Sequence, residues 1–190
     1  LAGRGAALRF GHRVAGLAAD DSGVTVDGER FTGAVVATAP QHLPALLPGI
    51  ATATAFEPIA TIWLQYPEST RLPFPLFNLG GKCGQWVVDR GNGLVACVQS
   101  GSGPWEALAE DDLAAALEEE LGFGHAAWRK VVREKRATFS CRPGIPRPGA
   151  AIPHPRISLA GDHTWSDYPA TLEGAVRSGL RAAHALSGTG

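Results

Sequence analysis

The chain has 190 residues, of which 45% are hydrophobic, with 24 glycines and 14 prolines. This composition is typical of a strand-rich mixed fold with many turns and argues against a helical bundle. The formal net charge is −1 and the basic residues are scattered, so the sequence carries no electrostatic footprint for nucleic acid. No apolar run approaches the ~20 residues that span a bilayer.

Cysteine and histidine usage argues against a structural metal or a disulfide framework. The three cysteines, Cys83, Cys97 and Cys141, are odd in number and lack paired spacing, which suits a reducing cytosol. The six histidines show no metal-binding spacing, so no metal site is expected. The chain contains no methionine and begins inside a plausible element, so we expect it to be a fragment of a longer protein.

The first forty residues predict short strands. Residues 5–17 suggest two strands around Gly11, and the alternation of Val24–Val26 followed by Asp27-Gly28 predicts a hairpin that returns through residues 29–31. The apolar run at 34–39 stops at a proline and predicts a strand buried on both faces, as in a parallel sheet.

The middle of the chain reads differently, because prolines punctuate it from Pro40 onward. One clear helix is predicted at 110–121, where leucines share one face and acidic residues occupy the first turn. The proline-rich stretch 142–155 indicates a crossover loop. Strands are predicted at 59–66, 85–89, 94–99 and 128–140.

The end of the chain predicts a strand at 157–160, a Gly161-Asp162 stop, a polar loop and a helix at about 170–186. Asp162 would lie at the carboxyl edge of a parallel-type strand, where a carboxylate can accept hydrogen bonds from ribityl or ribose hydroxyls. A turn or capping role for this aspartate is the alternative.

The start of the final helix is predicted to face an anion or another electron-rich group. Pro169 suits the first helical turn, and the amides of Ala170 to Leu172 would point out of the helix toward an electron-rich group. The apolar face predicted for this helix comprises Leu172, Val176, Gly179, Leu180 and Ala183. An amphipathic helix that simply covers a sheet is the alternative interpretation.

These elements predict an α/β fold in which two segments of one domain, 1–42 and 156–190, bracket an inserted domain at 43–155. The insert, with several strands and one helix, indicates an α+β domain built on a mixed or antiparallel sheet.

Gly161-Asp162 followed by residues 169–179 resembles the terminal signature of the amine-oxidase and phytoene-desaturase flavoprotein superfamily. Together with residues 58–64, 84–91 and 134–144, the chain resembles one branch, the squalene-associated FAD-dependent desaturases or bacterial hydroxysqualene dehydroxylases. The resemblance covers nearly all 190 residues.

The resemblance implies a partial Rossmann-like FAD domain made of 1–42 and 156–190, with 43–155 as the substrate domain. By family analogy, Val14 meets the adenine, and Asp162 lies near the ribityl–pyrophosphate stretch. The amides around Thr171 and Leu172 then face the pyrimidine edge of the isoalloxazine. The FAD-binding residues expected from this analogy are Val14, Gly161, Asp162, Pro169, Ala170, Thr171 and Leu172.

One departure from the family is large, because the G-x-G-x-x-G fingerprint at the end of a first strand is not found. The nearest match, residues 122–127, follows a helix and is a chance match. We therefore expect tight FAD binding to need a missing N-terminal half, or a separately encoded one.

The implied activity is replacement of the hydroxyl of hydroxysqualene by hydride, giving squalene, with an apolar isoprenoid as substrate. His163 and Asp167 flank the flavin-side loop as weak candidates for proton transfer. The alternatives are a carotenoid or phytoene desaturase, a flavin amine oxidase, and a flavin-free fragment that acts as an interaction module. We expect a cytoplasmic protein with peripheral contact to the inner membrane, and a homodimer or swapped assembly that covers exposed edges.

Overall fold

A computed structural model describes residues 3, 5–80, 84–148, 154–164 and 167–188. Cys83, part of the predicted 142–155 loop and residues 165–166 of the closing motif lie outside the described residues. The chain forms two compact units, Leu1–Thr54 with Ser140–Gly190, and Ala55–Phe139. Among the described residues, no helix is long and apolar enough to cross a membrane.

The two units divide after Thr54 and Phe139, whereas the sequence places the boundaries after residues 42 and 155. Residues 43–54 stay with the first unit because Leu43 and Leu47 are buried in its core beside Val24, Val36 and Leu159. The assignment of one unit to FAD and the other to substrate stays a prediction.

The first unit begins with an antiparallel meander of β1 (Leu17–Asp20), β2 (Gly23–Val26) and β3 (Glu29–Phe31). The predicted hairpin is present, and both turn residues, Asp27 and Gly28, have positive φ angles of 47° and 88°. Two positive φ values in a two-residue turn match the right-handed twist of the strands that it joins.

The prediction of two strands around Gly11 is wrong, because the described residues before Leu17 form turns and irregular chain. Their backbone is satisfied by a side chain instead of a neighbouring strand. The Asp27 carboxylate accepts hydrogen bonds from the amides of Ala15 at 2.9 Å and Gly16 at 2.7 Å. A carboxylate that accepts two amides removes the need for a paired strand there.

A parallel pair joins the two segments of the first unit. β4 (Ala34–Val36) pairs with β10 (Ile157–Leu159), with Ala34 opposite Ile157 and Val36 opposite Leu159. The parallel direction agrees with the prediction, but burial on both faces is wrong, since Val35 is 43% exposed and Val36 is 6% exposed. A two-stranded sheet packed on one side leaves the middle residue of β4 open.

Two helices complete this unit, the short α1 (Leu43–Leu46) and the terminal α3 (Leu172–Ser187), which packs against β10 and β4. α3 buries its small residues Gly174, Ser178 and Ala182. The face predicted to be buried instead lies open, because Leu172, Val176 and Leu180 are 88%, 60% and 59% exposed. Small side chains let the helix backbone approach the strands closely, which explains why the face of Gly174, Ser178 and Ala182 packs against them.

The second unit is a five-stranded antiparallel sheet with the order β6-β7-β8-β5-β9. Its helix α2 (Glu110–Leu121) coincides with the predicted helix and ends at Gly122, whose φ is 72°. The strands are β5 (Phe56–Gln65), β6 (Leu76–Asn78), β7 (Trp86–Asp89), β8 (Leu94–Ser100) and β9 (Trp128–Phe139).

Alternation along β5 gives this sheet two different faces. Ala60, Ile62 and Leu64 are fully buried in a core that also contains Leu113 and Leu117 of α2. We name the opposite side the open face. The register places Lys130 and Asn78 on this side with Trp63, together with Leu76, Trp86, Val98, Thr61, Trp128 and Val132. Several of these side chains, including Trp86 and Trp128, are about half exposed.

The end of α2 is fixed to the following loop by the buried carboxylate of Glu118. It accepts hydrogen bonds from His125 Nδ1 and the Ala126 amide, each at 2.9 Å. Burial opposes ionisation, but these hydrogen bonds and the charge of Arg129 outweigh it, so the pKa of Glu118 lies below its usual value. Residues 122–127 are therefore a helix-ending loop, and Gly122-x-Gly124 opens no helix in the structure.

We predict that Glu118→Ala lowers the free energy of unfolding by about 2 kcal/mol, because it leaves the partly buried Ala126 amide without its acceptor. Urea denaturation measures the change. The exposed neighbour provides the control, and Glu119→Ala is expected to shift stability by less than about 0.5 kcal/mol. Because the folded pKa of Glu118 is depressed, its contribution is present above about pH 4.3 and is lost as pH falls through the folded value. Equal effects of both substitutions at pH 7 would contradict this role.

Candidate functional site

The parallel pairing of β4 and β10 brings two chain exits to one edge of the sheet. The chain leaves β4 toward Thr38 and leaves β10 at Gly161-Asp162, and the Ala160 amide donates to the Val36 carbonyl at 3.0 Å. The carboxyl edge of parallel strands is where ligands of open α/β sheets bind. At this edge, Thr38 from the N-terminal segment therefore lies beside Gly161 and Asp162, the residues predicted from the C-terminal segment.

A cavity of about 650 Å³ lies in the first unit, lined by Val14, Thr38, His42 and Leu46 among others. This volume is typical of a small-molecule or cofactor site. The Thr38 hydroxyl is buried and has no hydrogen-bond partner among the described residues, and the same holds for Gln41 Oε1. Since buried polar groups are nearly always satisfied, this unpaired hydroxyl beside a cavity requires an explanation, and a bound ligand is one.

Asp162 is partly buried and its orientation is fixed locally. Its Oδ1 accepts the His163 amide at 2.8 Å and lies 3.5 Å from His163 Nδ1. The hydrogen bonding of His163 is the main cause that holds the pKa of Asp162 below its usual range, and the charge of Arg147 adds to it. A carboxylate that stays ionised and 30% exposed retains lone pairs for an incoming hydroxyl.

His163 and Asp167, the weak candidates for proton transfer, lie in different environments. The His163 side chain is 2% exposed, and its Nε2 has no partner among the described residues. Its ring fills the space beneath Gly161, whose φ is 144°, so that a methyl group at this glycine would overlap the imidazole. Asp167 is exposed, and its charge contributes to the raised pKa of Arg177, of which Glu173 is the main cause.

The start of α3 differs from the prediction. The helix begins at Leu172, and Thr171 is its N-cap, whose Oγ1 accepts the Gly174 amide at 3.1 Å. Pro169 therefore precedes the helix and does not belong to its first turn. The Ala170 amide donates to Cys141 Sγ at 3.4 Å and does not point outward as predicted. The outward amides at the helix start are those of Leu172 and Glu173.

Two arginines that the sequence reasoning did not select hold the loop between β10 and α3. Arg147 Nη2 donates to the carbonyls of Asp162 and Tyr168, both at 2.8 Å. Arg181 Nη2 donates to the Thr164 carbonyl at 3.0 Å. Arg147 gave no signal because it lies in a proline-rich stretch without periodicity, and Arg181 was assigned only to the polar face of the helix. Thr38 was noted only as part of a strand.

The described residues contain no group of three or more histidines, cysteines, aspartates or glutamates that could hold a metal ion. The polar groups that the β4–β10 pairing brings to the carboxyl edge are the Asp162 carboxylate and the Thr38 hydroxyl. This donor set suits an organic cofactor with hydroxyls and carbonyls.

The architecture has a counterpart among solved structures. Cyclohexylamine oxidase from Brevibacterium oxydans superposes with a TM-score of 0.68 at 16% identity, over 93% of this chain and 48% of that enzyme. At this identity the likeness concerns the fold alone. The fold class predicted from the sequence is thereby confirmed.

Sequence comparison identifies the family. The family model of the flavin containing amine oxidoreductases matches residues 1–187, and the chain belongs to this family. Hydroxysqualene dehydroxylase of Rhodopseudomonas palustris is 31% identical over the whole chain and 49% of its own length. A probable zeta-carotene desaturase of Synechococcus elongatus is 31% identical over 49% of this chain and 21% of its own length. The chain thus spans about half the length of the hydroxysqualene dehydroxylase that it matches.

We predict that Gly161→Ala destabilises the protein by about 2 to 4 kcal/mol, because its positive φ is strained for alanine and the methyl group collides with His163. Thermal unfolding followed by circular dichroism measures the effect. Gly179 supplies the control, since a methyl group there meets no atom within 4 Å. Gly179→Ala is expected to stabilise α3 by about 0.5 to 1 kcal/mol. A neutral Gly161→Ala would show that the turn adapts.

Proposed function

We propose that this chain is part of an FAD-dependent oxidoreductase that removes the hydroxyl of a long isoprenoid alcohol of the hydroxysqualene type. The observation that carries the flavin part is the cavity beside the carboxyl edge, where the buried Thr38 hydroxyl has no partner among the described residues. The substrate part is supported by similarity to hydroxysqualene dehydroxylase and by the open face of the second unit.

The residues present fit an FAD group. A cavity of about 650 Å³ accommodates a nucleoside-sized portion, with Val14 in its wall and Thr38 offering a hydroxyl. Asp162, kept ionised by His163, would accept hydrogen bonds from ribityl or ribose hydroxyls. We expect the pyrophosphate to be held by a glycine-rich loop from another stretch of sequence.

The first turn of α3 would face the electron-rich carbonyl edge of the flavin. The amides of Leu172 and Glu173 and the positive end of the helix dipole favour negative charge there. Thr171 keeps these amides outward, because its own side chain satisfies Gly174 and fixes the helix start. The chain thereby stabilises an anionic ring by orientation alone, without an acid–base side chain.

If these residues hold reduced FAD, the cofactor would supply a hydride to the carbon that loses the hydroxyl, and the hydroxyl would take up a proton and leave as water. The chain's own residues bind the cofactor and orient an apolar substrate away from bulk water. His163 is 2% exposed, which supports a structural role in holding Asp162 over proton exchange with solvent.

The open face of the second unit supports a long apolar substrate. Trp63 and Trp86 share this face with Val98 and Val132, and Leu76 extends it to the edge strand β6. Lys130 lies beside Trp63 on the same side, so the apolar residues flank a single cation. Exposed apolar side chains grouped on one face of a sheet support a binding surface. An isoprenoid chain offers no hydrogen bonds, so burial of apolar area must supply its affinity.

A carotenoid desaturase is the second candidate, because half of the chain matches the probable zeta-carotene desaturase. The two reactions run in opposite redox directions, since desaturation removes hydride from the substrate and dehydroxylation delivers it. Anaerobic turnover distinguishes them. Consumption of reduced flavin with an isoprenoid alcohol supports the first function, and growth of a polyene absorption band from a carotene supports the second.

The exposed apolar stripe of α3 offers a surface on which the rest of the flavin site could be completed. Leu172, Val176 and Leu180 recur at four-residue spacing and are exposed in this chain. We propose that a flavin-binding half of the kind found in the longer relatives packs on this stripe. Flavin absorbance tests the arrangement. The purified chain should retain little FAD, and co-expression with the corresponding half of the Rhodopseudomonas palustris relative should restore a flavin band.

We predict that Thr38→Val weakens FAD binding about tenfold, the loss of one hydrogen bond of ~1.4 kcal/mol. The same change should leave the melting temperature unchanged or higher, since it removes an unsatisfied buried hydroxyl. Flavin fluorescence titration of the flavin-competent assembly and thermal unfolding measure the two effects. Thr25→Val, which removes the acceptor of Arg30 in the meander, is the control and should leave FAD affinity unchanged. Unaltered FAD binding in Thr38→Val would contradict the cavity assignment.

We predict that Val132→Asp on the open face lowers affinity for an isoprenoid alcohol at least about fivefold, because a carboxylate must then be desolvated against the chain. Quenching of tryptophan fluorescence in a micellar titration reports binding. Asn92→Asp at the β7–β8 turn adds the same charge at an exposed position and serves as the matched control. Equal losses in both variants would point to charge repulsion and against binding on this face.

A further inference from the structure

We propose that Arg147 is a positioning residue that sets where Asp162 and the start of α3 stand relative to each other. This inference rests on the proposed function, since it assigns a task within the same flavin site. It concerns a residue outside both the family-derived site and the predicted helix.

A single guanidinium nitrogen links the two ends of the site loop. Arg147 Nη2 donates to the Asp162 carbonyl and to the Tyr168 carbonyl at 2.8 Å each, and both hydrogen bonds are partly buried. The two carbonyls therefore lie within reach of one atom although five residues lie between them in the sequence. Removal of the guanidinium leaves partly buried carbonyls without this donor, and the loop must rearrange to satisfy them.

The loop that Arg147 holds at Asp162 and Tyr168 connects the two groups that the flavin would contact. Asp162 begins it, directly after β10, and Thr171 caps α3 shortly after Tyr168. A fixed Asp162 carbonyl fixes the direction of the carboxylate on the same residue. A fixed Tyr168 carbonyl limits where the chain enters the N-cap of α3. Arg147 therefore restrains both Asp162 and the start of this helix.

Other contacts hold parts of the loop but do not perform this task. Arg181, on α3, ties Thr164 to the helix, and Thr164 Oγ1 donates to the Gly161 carbonyl at 2.9 Å. Cys141 accepts the Ala170 amide from the far end of the loop. Arg147 differs because it spans the loop from Asp162 to Tyr168 with one side chain. Its positive charge also favours the ionised form of Asp162.

Arginine suits this task because its charge persists at every physiological pH and its donors lie in a rigid plane. Because Nη2 already donates to two carbonyls, the residue acts through the loop and not by contact with reacting atoms. Lysine should substitute in part, since one ammonium can donate to both oxygens. Methionine keeps the length of the stem and removes every donor.

The test is hydrogen–deuterium exchange by mass spectrometry on the full chain without flavin, comparing wild type with Arg147→Met and Arg147→Lys. We expect amides within 160–172 to exchange at least about tenfold faster in Arg147→Met and within about threefold of wild type in Arg147→Lys. Arg71→Met is the matched control, because Arg71 also donates to backbone carbonyls, those of Glu68 and Thr70, but in the second unit. It should leave 160–172 unchanged.

Unchanged exchange of 160–172 in Arg147→Met overturns the proposal. If Arg147→Met loses its native circular dichroism spectrum, Arg147→Gln replaces it, and global unfolding of both variants also overturns a local positioning role. Failure of Arg147→Lys to recover protection has the same meaning.

A second readout links the loop to the flavin. In the flavin-competent assembly, Arg147→Met should weaken FAD binding at least about tenfold and shift the flavin absorption band, with recovery in Arg147→Lys. Faster exchange without any flavin effect overturns the positioning of the site. If wild type binds no flavin in any assembly, the proposed function fails, and the exchange experiment still decides whether Arg147 fixes the loop.

Discussion

The parallel pairing of β4 with β10 is the constraint on which the rest of this structure depends. Its few hydrogen bonds join segments from opposite ends of the chain, and the second unit is formed by residues that lie between these segments in the sequence. Closing so long a loop costs entropy that local contacts do not repay, so the pair needs help from packing. That help comes from Val36 and Leu159 in a shared core with Val24 and Leu43.

The same pairing explains the composition of the candidate site. Parallel strands end at a common edge, so Thr38 and Asp162 become neighbours in the fold although no sequence motif links them. The described residues of the loop between β10 and α3 pair with no strand. Side chains replace the missing sheet contacts, with Arg147 and Arg181 donating to its carbonyls and Thr171 capping the helix.

The first unit leaves part of its apolar surface uncovered. Parallel sheets are usually covered on both faces, yet here Val35 lies open and the stripe of Leu172, Val176 and Leu180 faces outward. The chain also spans about half the length of the hydroxysqualene dehydroxylase that it resembles. Both facts support the proposal that further protein packs on this surface. The second unit contrasts with this, since it has its own core between α2 and one face of its sheet.

Local patterns in the sequence determined the elements whose partners lie nearby. Apolar spacing predicted α2 at 110–121, the Asp27-Gly28 turn predicted the hairpin, and a strand was predicted at 59–66, which overlaps β5. The helix and the hairpin depend on contacts within a few residues. The closing motif sufficed for the family, which the match over residues 1–187 confirms. The flavin-contacting roles assigned to Val14 and Asp162 stay predictions.

Tertiary structure alone decided the features that depend on distant partners. Periodicity identified the apolar face of α3 but not that its small-residue face, Gly174, Ser178 and Ala182, would pack on the strands. It also gave no hint that Asp27 would satisfy the amides expected to form a strand before Leu17, or that Arg147 would reach the site loop. Periodicity reports how apolar a face is, whereas close packing and hydrogen-bond satisfaction decide which surface it meets.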